Sequence, residues 1–344
     1  MDLSVFAEEL KADMYKNYWI GAGENKEYQE YKPLYTEICQ EKSLKDMNQS
    51  YGGAYDKVTS NITDVEYVRK KEKQPVEYKS MAEGYPVYAS VKAYEFGLQF
   101  SLEVTKQLPK MREDLLSVIR KSVPMAYKLA KERFFWNQFN YGGYTAGQEL
   151  FNQDLPNGVL TTGYGDKLYD SVNWFNLVGA KRPEYKGGAN TKYNALTLPF
   201  SPDNIKKLFN LLTDTNGFRE DGIEFDNSRD VYLVVPRGLG VDAKSWMKTV
   251  QEAASQNNTK NWMQENIAGV ISVPYLTGNA VAANIPYYLV RKNCGMDFYA
   301  GDAPTFETNI DFDHDIIKVK SRIEIAERIT NWRFAAASNA PTSA

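Results

Sequence analysis

The period of apolar positions changes several times along the chain, and each change marks an element. Leu3, Phe6, Leu10 and Met14 recur at helical spacing and predict a short amphipathic helix. Leu34 and Ile38 predict a second, weaker helical stretch after Pro33. Turn chemistry lies between these stretches at Gly21-Ala22-Gly23 and after them at Tyr51-Gly52-Gly53. Such a leader, residues 1–60, carries too little apolar surface for a core of its own and must lie across something else. From Asn61 the period becomes two. Val65, Tyr67 and Arg69 share one strand face, with Glu66, Val68 and Lys70 on the other. A return run from Tyr85 to Phe100 places Tyr88, Tyr94, Phe96, Leu98 and Phe100 on alternate positions. The stretch Lys70-Lys71-Glu72-Lys73-Gln74-Pro75 between them is charged and contains a proline. It reads as a solvated hairpin tip or as an arm reaching a neighbouring molecule, because an isolated two-stranded ribbon is marginal in water.

A long helix is predicted over Met111–Asn140, about 40 Å at about 1.5 Å per residue. Leu115, Ile119, Ala126, Leu129 and Ala130 form its inward side, Phe134-Phe135-Trp136 lie at its end, and Pro124 predicts a kink or break. Residues 141–200, rich in Gly, Asn, Tyr and Thr, read as short hairpins and loops. Ser201-Pro202-Asp203 opens the clearest helix, with a capping serine, proline at the first helical position and an acid at the positive end of the dipole. Ile205, Leu208, Phe209 and Leu212 form its buried stripe. Val231–Val235 is a continuous apolar strand of the kind covered on both faces. A helix over Val241–Gln256 and strands over Gly269–Val273, Pro286–Arg291 and Asp297–Ala300 follow, making an α+β unit. Ile317, Val319, Ile323 and Ile325 alternate with Lys318, Lys320, Arg322 and Glu324, a half-buried strand; the small, polar tail Ala335–Ala344 reads as frayed.

The charge balance, 41 basic against 44 acidic residues and a net −3, gives no broad phosphate-binding face. With 344 residues the chain has length for about two domains. Cys39 and Cys294 are its only thiols and His314 its only histidine, too few for a disulfide scaffold or a four-ligand structural zinc site. Asp313-His314-Asp315 resembles a base with an orienting acid, but neighbouring strand residues face opposite ways and no nucleophile elbow accompanies them. Asp214-Thr215-Asn216-Gly217 with Asp221-Gly222 lacks the alternation and closing glutamate of a calcium loop and reads as a turn. Phosphate-loop glycine motifs are absent. No catalytic residue, cofactor or metal is called. The six tryptophans are scattered, which favours packing over a sugar platform, although 24 tyrosines suit both sugar clefts and protein interfaces. The N-terminus shows no secretory signal and no run long enough to span a membrane, so the reading is a soluble protein made in a cytoplasm.

The order of these segments resembles the major capsid (head) proteins of tailed bacteriophages, the coat fold named after phage Hong Kong ninety-seven. Phe100-Ser101-Leu102-Glu103-Val104-Thr105 stands where that family has a short stretch leading into its spine helix. Val231-Tyr232-Leu233-Val234-Val235-Pro236-Arg237-Gly238-Leu239 is similar to the axial-domain strand and the helix after it. Gly269–Leu276 and Pro286–Val290 are similar to the next two strands, and Ile317–Ala337 to the return strands of the peripheral domain.

The resemblance implies an α+β fold with an N-terminal arm (1–60), an E-loop hairpin (61–100), a peripheral domain with a long spine helix (101–200 and 302–344) and an axial domain (201–301). It implies a structural protein without enzymatic activity, assembling as hexamers and pentamers into an icosahedral head around double-stranded DNA without sequence-specific binding. The implied location is the virion, with assembly in the host bacterial cytoplasm. The implied partners are copies of itself, a portal, decoration proteins and, because only about 60 residues precede the ribbon, a separate scaffolding protein. On this reading Phe6 and Leu10 of the arm and Arg69, Lys70, Lys71, Glu72, Lys73 and Tyr78 of the E-loop are the candidate inter-subunit contacts. Two other readings stand beside it: an encapsulin-like nanocompartment shell, and a carbohydrate-active enzyme or sugar-binding protein.

Overall fold

In a computed structural model, the described residues are 11–12, 33–47, 55–62, 82–101, 109–140, 172–177, 192–218, 225–249, 261–276, 285–301, 305–311 and 316–340. Their strands form two five-stranded sheets and a two-stranded ribbon. The first sheet is organised by β11 (Ile316–Ile329). One edge of β11 pairs antiparallel with β4 (Lys92–Ser101), from Ile316 opposite Ser101 to Ile325 opposite Lys92. Its other edge takes β10 (Thr305–Asp311) and then β9 (Met296–Ala300), both antiparallel. The three-residue β1 (Glu41–Ser43) adds to β9 in parallel. In the second sheet β6 (Val231–Pro236) lies between β7 (Ile267–Val273), parallel, and β8 (Tyr287–Arg291), antiparallel. Beyond β8 come β12 (Ala335–Ser338) and β5 (Ala195–Leu196). The ribbon joins β2 (Tyr55–Ile62) to β3 (Ala82–Ser90), with an irregularity between Thr59 and Asn61.

The alternation in β11 is realised as read: Ile317, Val319, Ile323 and Ile325 are buried, while Lys318 and Arg322 are exposed. β6 is covered on both faces, as its unbroken apolar run implies. Leu233 and Val235 join Ile205, Leu208 and Leu212 of the helix Pro202–Asn210 and the turn after it. Val234 points the other way, into a core shared with Tyr288, Phe139 and Trp332. Ser201 caps that helix, its hydroxyl accepting from the Asn204 N–H at 3.3 Å.

Several expectations are corrected. The first ribbon strand begins at Tyr55, not Asn61, and the return run is interrupted at Val91, so that its two halves pair with different partners. The long helix, Pro109–Asn140, continues through Pro124 without a break. Ala126 faces out and Tyr127 in, because the last three turns bury an aromatic surface rather than the stripe of small residues. The helix expected to reach Gln256 is Gly240–Lys248. Asn261 ends it by donating its side-chain amide to the carbonyls of Trp246 (2.6 Å) and Thr249 (2.7 Å), which a helix would otherwise leave open. The tail read as frayed contains β12, whose Ala335, Ala336 and Ala337 are fully buried; small side chains let it run between β8 and β5.

Among the described residues, two crossovers join consecutive strands of the two five-stranded sheets, the turn from β8 to β9 and the 3-10 turn Trp332–Phe334 between β11 and β12. They lie side by side: the Gly295 carbonyl accepts from the N–H groups of Thr330 (2.7 Å) and Asn331 (3.0 Å). Gly295 is in the left-handed region at φ 68°, and a Cβ there would strike the Asn331 carbonyl, so glycine is required.

Candidate functional site, the docking of the leader

Pro33 to Met47 has no core of its own. It lies in the angle between the long helix and the first sheet, held by apolar burial and three charged clamps. Tyr35 and Ile38, fully buried, fill the angle. The Tyr35 ring stacks on Phe135 at 5.0 Å and meets Phe298 edge-on at 5.2 Å. Phe135 on the last turns of the helix and Phe298 on the inward face of β9 make the pocket. Each aromatic pair adds about 0.5–1.5 kcal/mol beyond its buried area.

The first clamp is Glu132, a fully buried helix carboxylate. Both oxygens accept the Leu34 N–H, at 3.0 and 2.9 Å, and Oε1 also accepts from the Trp136 indole at 2.7 Å. Leu34 opens a 3-10 turn whose preceding residue offers no side-chain cap, and Glu132 supplies that cap from 98 positions away. The second clamp is Glu41, which accepts from Lys131 Nζ at 2.8 and 3.0 Å and from the Tyr35 hydroxyl at 2.5 Å. Burial, followed by the charge and hydrogen bond of Glu41, pushes the Tyr35 phenol far up, so it remains a donor. Lys131 also lies over the Tyr127 ring at 4.8 Å, and Tyr127 donates to the Gly301 carbonyl at 2.7 Å. The third clamp is Asp297 on β9, paired with Lys42 at 2.6 Å and with Arg328 at 2.9 Å. Burial would raise this carboxyl, but the hydrogen bond from Lys42 and the charges of Arg328 and Lys42 hold it below the ordinary aspartate range.

The other feature with a functional geometry is the three-stranded part of the first sheet, β4–β11–β10. One face is ionic: Glu95 meets Lys320 at 2.9 Å, Arg322 meets Glu324 at 2.8 Å, and Lys318 meets Asp311 at 2.9 Å. The opposite face is apolar, and its outer strand leaves Phe96 (38%) and Leu98 (36%) exposed. Among the described residues these and Val241 are the exposed large hydrophobics, and Phe96 and Leu98 are the two that share one strand face.

The eight arm and E-loop residues singled out from the sequence, Phe6, Leu10, Arg69, Lys70, Lys71, Glu72, Lys73 and Tyr78, lie outside the described residues, as does Asp313-His314-Asp315. Asp214 lies in the single π-turn Leu211–Thr215 that follows the capped helix. The docking clamps were missed by sequence reading because their partners are far apart in the chain and their residue types are ordinary. Glu132 inside an aromatic-rich run was the one available signal, since an acid on a buried helix end needs donors. No helix among the described residues is long and apolar enough to cross a membrane.

No protein-family model matches the sequence, and no curated protein matches it. Solved structures do match by shape. A chain from Mycobacterium phage Patience aligns over 100% of this chain and 90% of its own, with a TM-score of 0.51 at 9% identity. The capsid of Myoviridae phage XM1 aligns over 90% and 92%, with a TM-score of 0.50 at 10% identity. The capsid of an empty GTA particle aligns over 91% and 90%, with a TM-score of 0.50 at 9% identity. The likeness therefore takes in both sheets and the long helix rather than one motif, and the α+β fold is the one these capsids share.

Proposed function

We propose that this chain, whose fold is that of the tailed-phage major capsid proteins, is the structural subunit of an icosahedral head. On this reading it assembles as hexamers and pentamers into a shell around double-stranded DNA, with no enzymatic role. The observation that carries the proposal is the coat fold extending over nine-tenths or more of the chain. The half-exposed apolar strip of Phe96 and Leu98 supports it, because a subunit that finishes its sheet against a sister copy needs such a strip. The net charge of −3 suits a container, since each basic contact to phosphate would tighten binding to the enclosed DNA. Its place is the virion, after assembly in the host bacterial cytoplasm.

Within the head, residues 1–60 act as the N-terminal arm and 61–100 as the E-loop. Residues 101–200 with 302–344 make the peripheral domain, and 201–301 the axial domain. Phe6 and Leu10 supply apolar anchors, and Arg69, Lys70, Lys71, Glu72, Lys73 and Tyr78 supply the ribbon's contacts to neighbouring copies. A separate scaffolding protein, a portal and decoration proteins complete the partner set. Docking Pro33–Met47 on its own chain fixes the root from which such an arm would extend, so this part of a leader that must lie across something else lies across its own chain.

The test is the state of the expressed chain. Size-exclusion chromatography and negative-stain microscopy are expected to show capsomers or closed shells, alone or with a co-expressed scaffolding protein. A stable monomer of 39.2 kDa that stays monomeric under both conditions would overturn the reading.

A further inference from the structure

Cys39 and Cys294 are the two cysteines of the chain, and both are buried and free. The fold brings them together from distant parts of the sequence. Cys39 follows the 3-10 turn Leu34–Glu37, its N–H bonded to the Tyr35 carbonyl at 2.8 Å, and leads into β1. Cys294 sits in the crossover from β8 to β9, between two left-handed residues, Asn293 (φ 70°) and Gly295 (φ 68°). Contacts on either side hold the segments against each other. The Asn293 N–H donates to the Ile38 carbonyl at 2.7 Å, and the Cys39 thiol to the Met296 carbonyl at 3.4 Å. Pairing then continues as β1 on β9, starting at Glu41 opposite Phe298. Both cysteines belong to one apolar cluster, and Cys39 is among the groups close enough to raise the Cys294 thiol.

We infer that Cys39 and Cys294 form a redox pair whose intramolecular disulfide, when closed, fastens the docked leader to the crossover between the two sheets. This goes beyond the proposed function and does not depend on shell formation. The pair lies where an added bond has a structural consequence, since the leader is otherwise held without a covalent link, by a three-residue strand, the burial of Tyr35 and Ile38, one backbone bond to Asn293 and side-chain clamps. With the bond open, the leader can lift at the loss of β1 alone, leaving the other four strands of the first sheet paired; with it closed, it cannot.

Closure by a low-molecular-weight disulfide is a two-step exchange. Cys39, the less deeply buried thiol, loses its proton to water, and its thiolate attacks one sulfur of the oxidant, expelling the other as a small thiolate. The Cys294 thiolate then attacks the Cys39 sulfur of the mixed disulfide, forming the protein bond and expelling the second small thiolate. Two protein thiols are oxidised, one small disulfide is reduced to two thiols, and the two cysteine protons end on the expelled groups. Burial, and then Cys39 itself, pushes the Cys294 thiol well up, so closure is slow in the docked state and faster when the leader opens.

To test this, the full chain is purified under reductant, in the assembly it forms, and moved into oxidised glutathione at about pH 8.5. The intact mass is expected to fall by about 2 Da. Non-reducing digestion should give a peptide pair joining Cys39 to Cys294, and maleimide labelling in denaturant should disappear. Dithiothreitol should restore both labels, and protease should cut within 33–47 more slowly in the oxidised form than in the reduced one. The variants Cys39→Ser and Cys294→Ser should each lose the redox-dependent difference; the mass and peptide measurements on the unaltered chain stand even if a variant folds poorly. Three results would overturn the inference: thiols that stay fully labelled after prolonged oxidation, a stable glutathione adduct on either cysteine, or a disulfide joining two copies.

Discussion

In the sheet centred on β6, Leu233, Val235 and Leu289 face one apolar layer while Val234, Tyr288 and Val290 face another, and all six are fully buried. In the sheet centred on β11, the β4–β11–β10 portion has a layer of ion pairs on one face and exposed Phe96 and Leu98 on the other. The same number of strands thus makes two different objects. The first satisfies its apolar faces within the chain and needs nothing further. The second is covered only where the leader and the long helix pack on it, and it leaves a strip that a neighbouring molecule can complete. A sheet of the first kind sets the stability of the subunit, and one of the second kind sets what the subunit does with others.

Leu233→Ala should be the most damaging change, costing about 2–5 kcal/mol of unfolding free energy in denaturant titration, because the cavity opens in a layer with no freedom to collapse. A cost below about 1 kcal/mol would break the contrast between the sheets. Glu132→Gln should cost about 1.5–3 kcal/mol by weakening hydrogen bonds to a charged acceptor, with faster proteolysis inside 33–47 as the local signature. The pH dependence of the third clamp is next. The Asp297 carboxyl is depressed in the folded chain, so the unfolded chain takes up its proton first; the clamp's contribution is present above about pH 4 and is lost as pH falls through the folded value. Thermal melts from neutral to acidic pH should show this loss, and Asp297→Asn should flatten it. The smallest change in stability belongs to Phe96→Ser with Leu98→Ser, within about 1 kcal/mol for the isolated subunit. Assembly, read by size-exclusion chromatography, should nevertheless fail.

Where local pattern and burial agree, the fold was legible. β11 alternates because one face is core, β6 is uniformly apolar because both faces are, and Ser201-Pro202-Asp203 announces its helix through capping chemistry. The failures are equally physical. β1 is Glu41-Lys42-Ser43, three polar residues with no strand signal, and it is a strand because β9 offers a free edge, with Lys42 paired to Asp297 of β9 and Glu41 to Lys131 of the long helix. The helix after β6 stops at Lys248, midway along the stretch whose pattern would carry it further. Asn261 takes the carbonyls at its end, an event no window around residue 248 contains. Ala335–Ser338 has the composition of a loose tail and the position of a buried strand. The leader clamps depend on Glu132 and Lys131 meeting residues far back in the sequence, so the candidate site became visible only with the fold.

The placement of β11 and β12 has a consequence for synthesis. The longest strand of the first sheet and an inner strand of the second are both made late: the first sheet cannot close until about Ile329, nor the second until about Ser338, has left the ribosome. Up to that moment β4, β8 and β9 each keep an open hydrogen-bonding edge. Crowding of nascent chains at high expression therefore threatens this protein before it is folded, and a partner or chaperone that shields those edges would act on a species that the mature structure no longer displays.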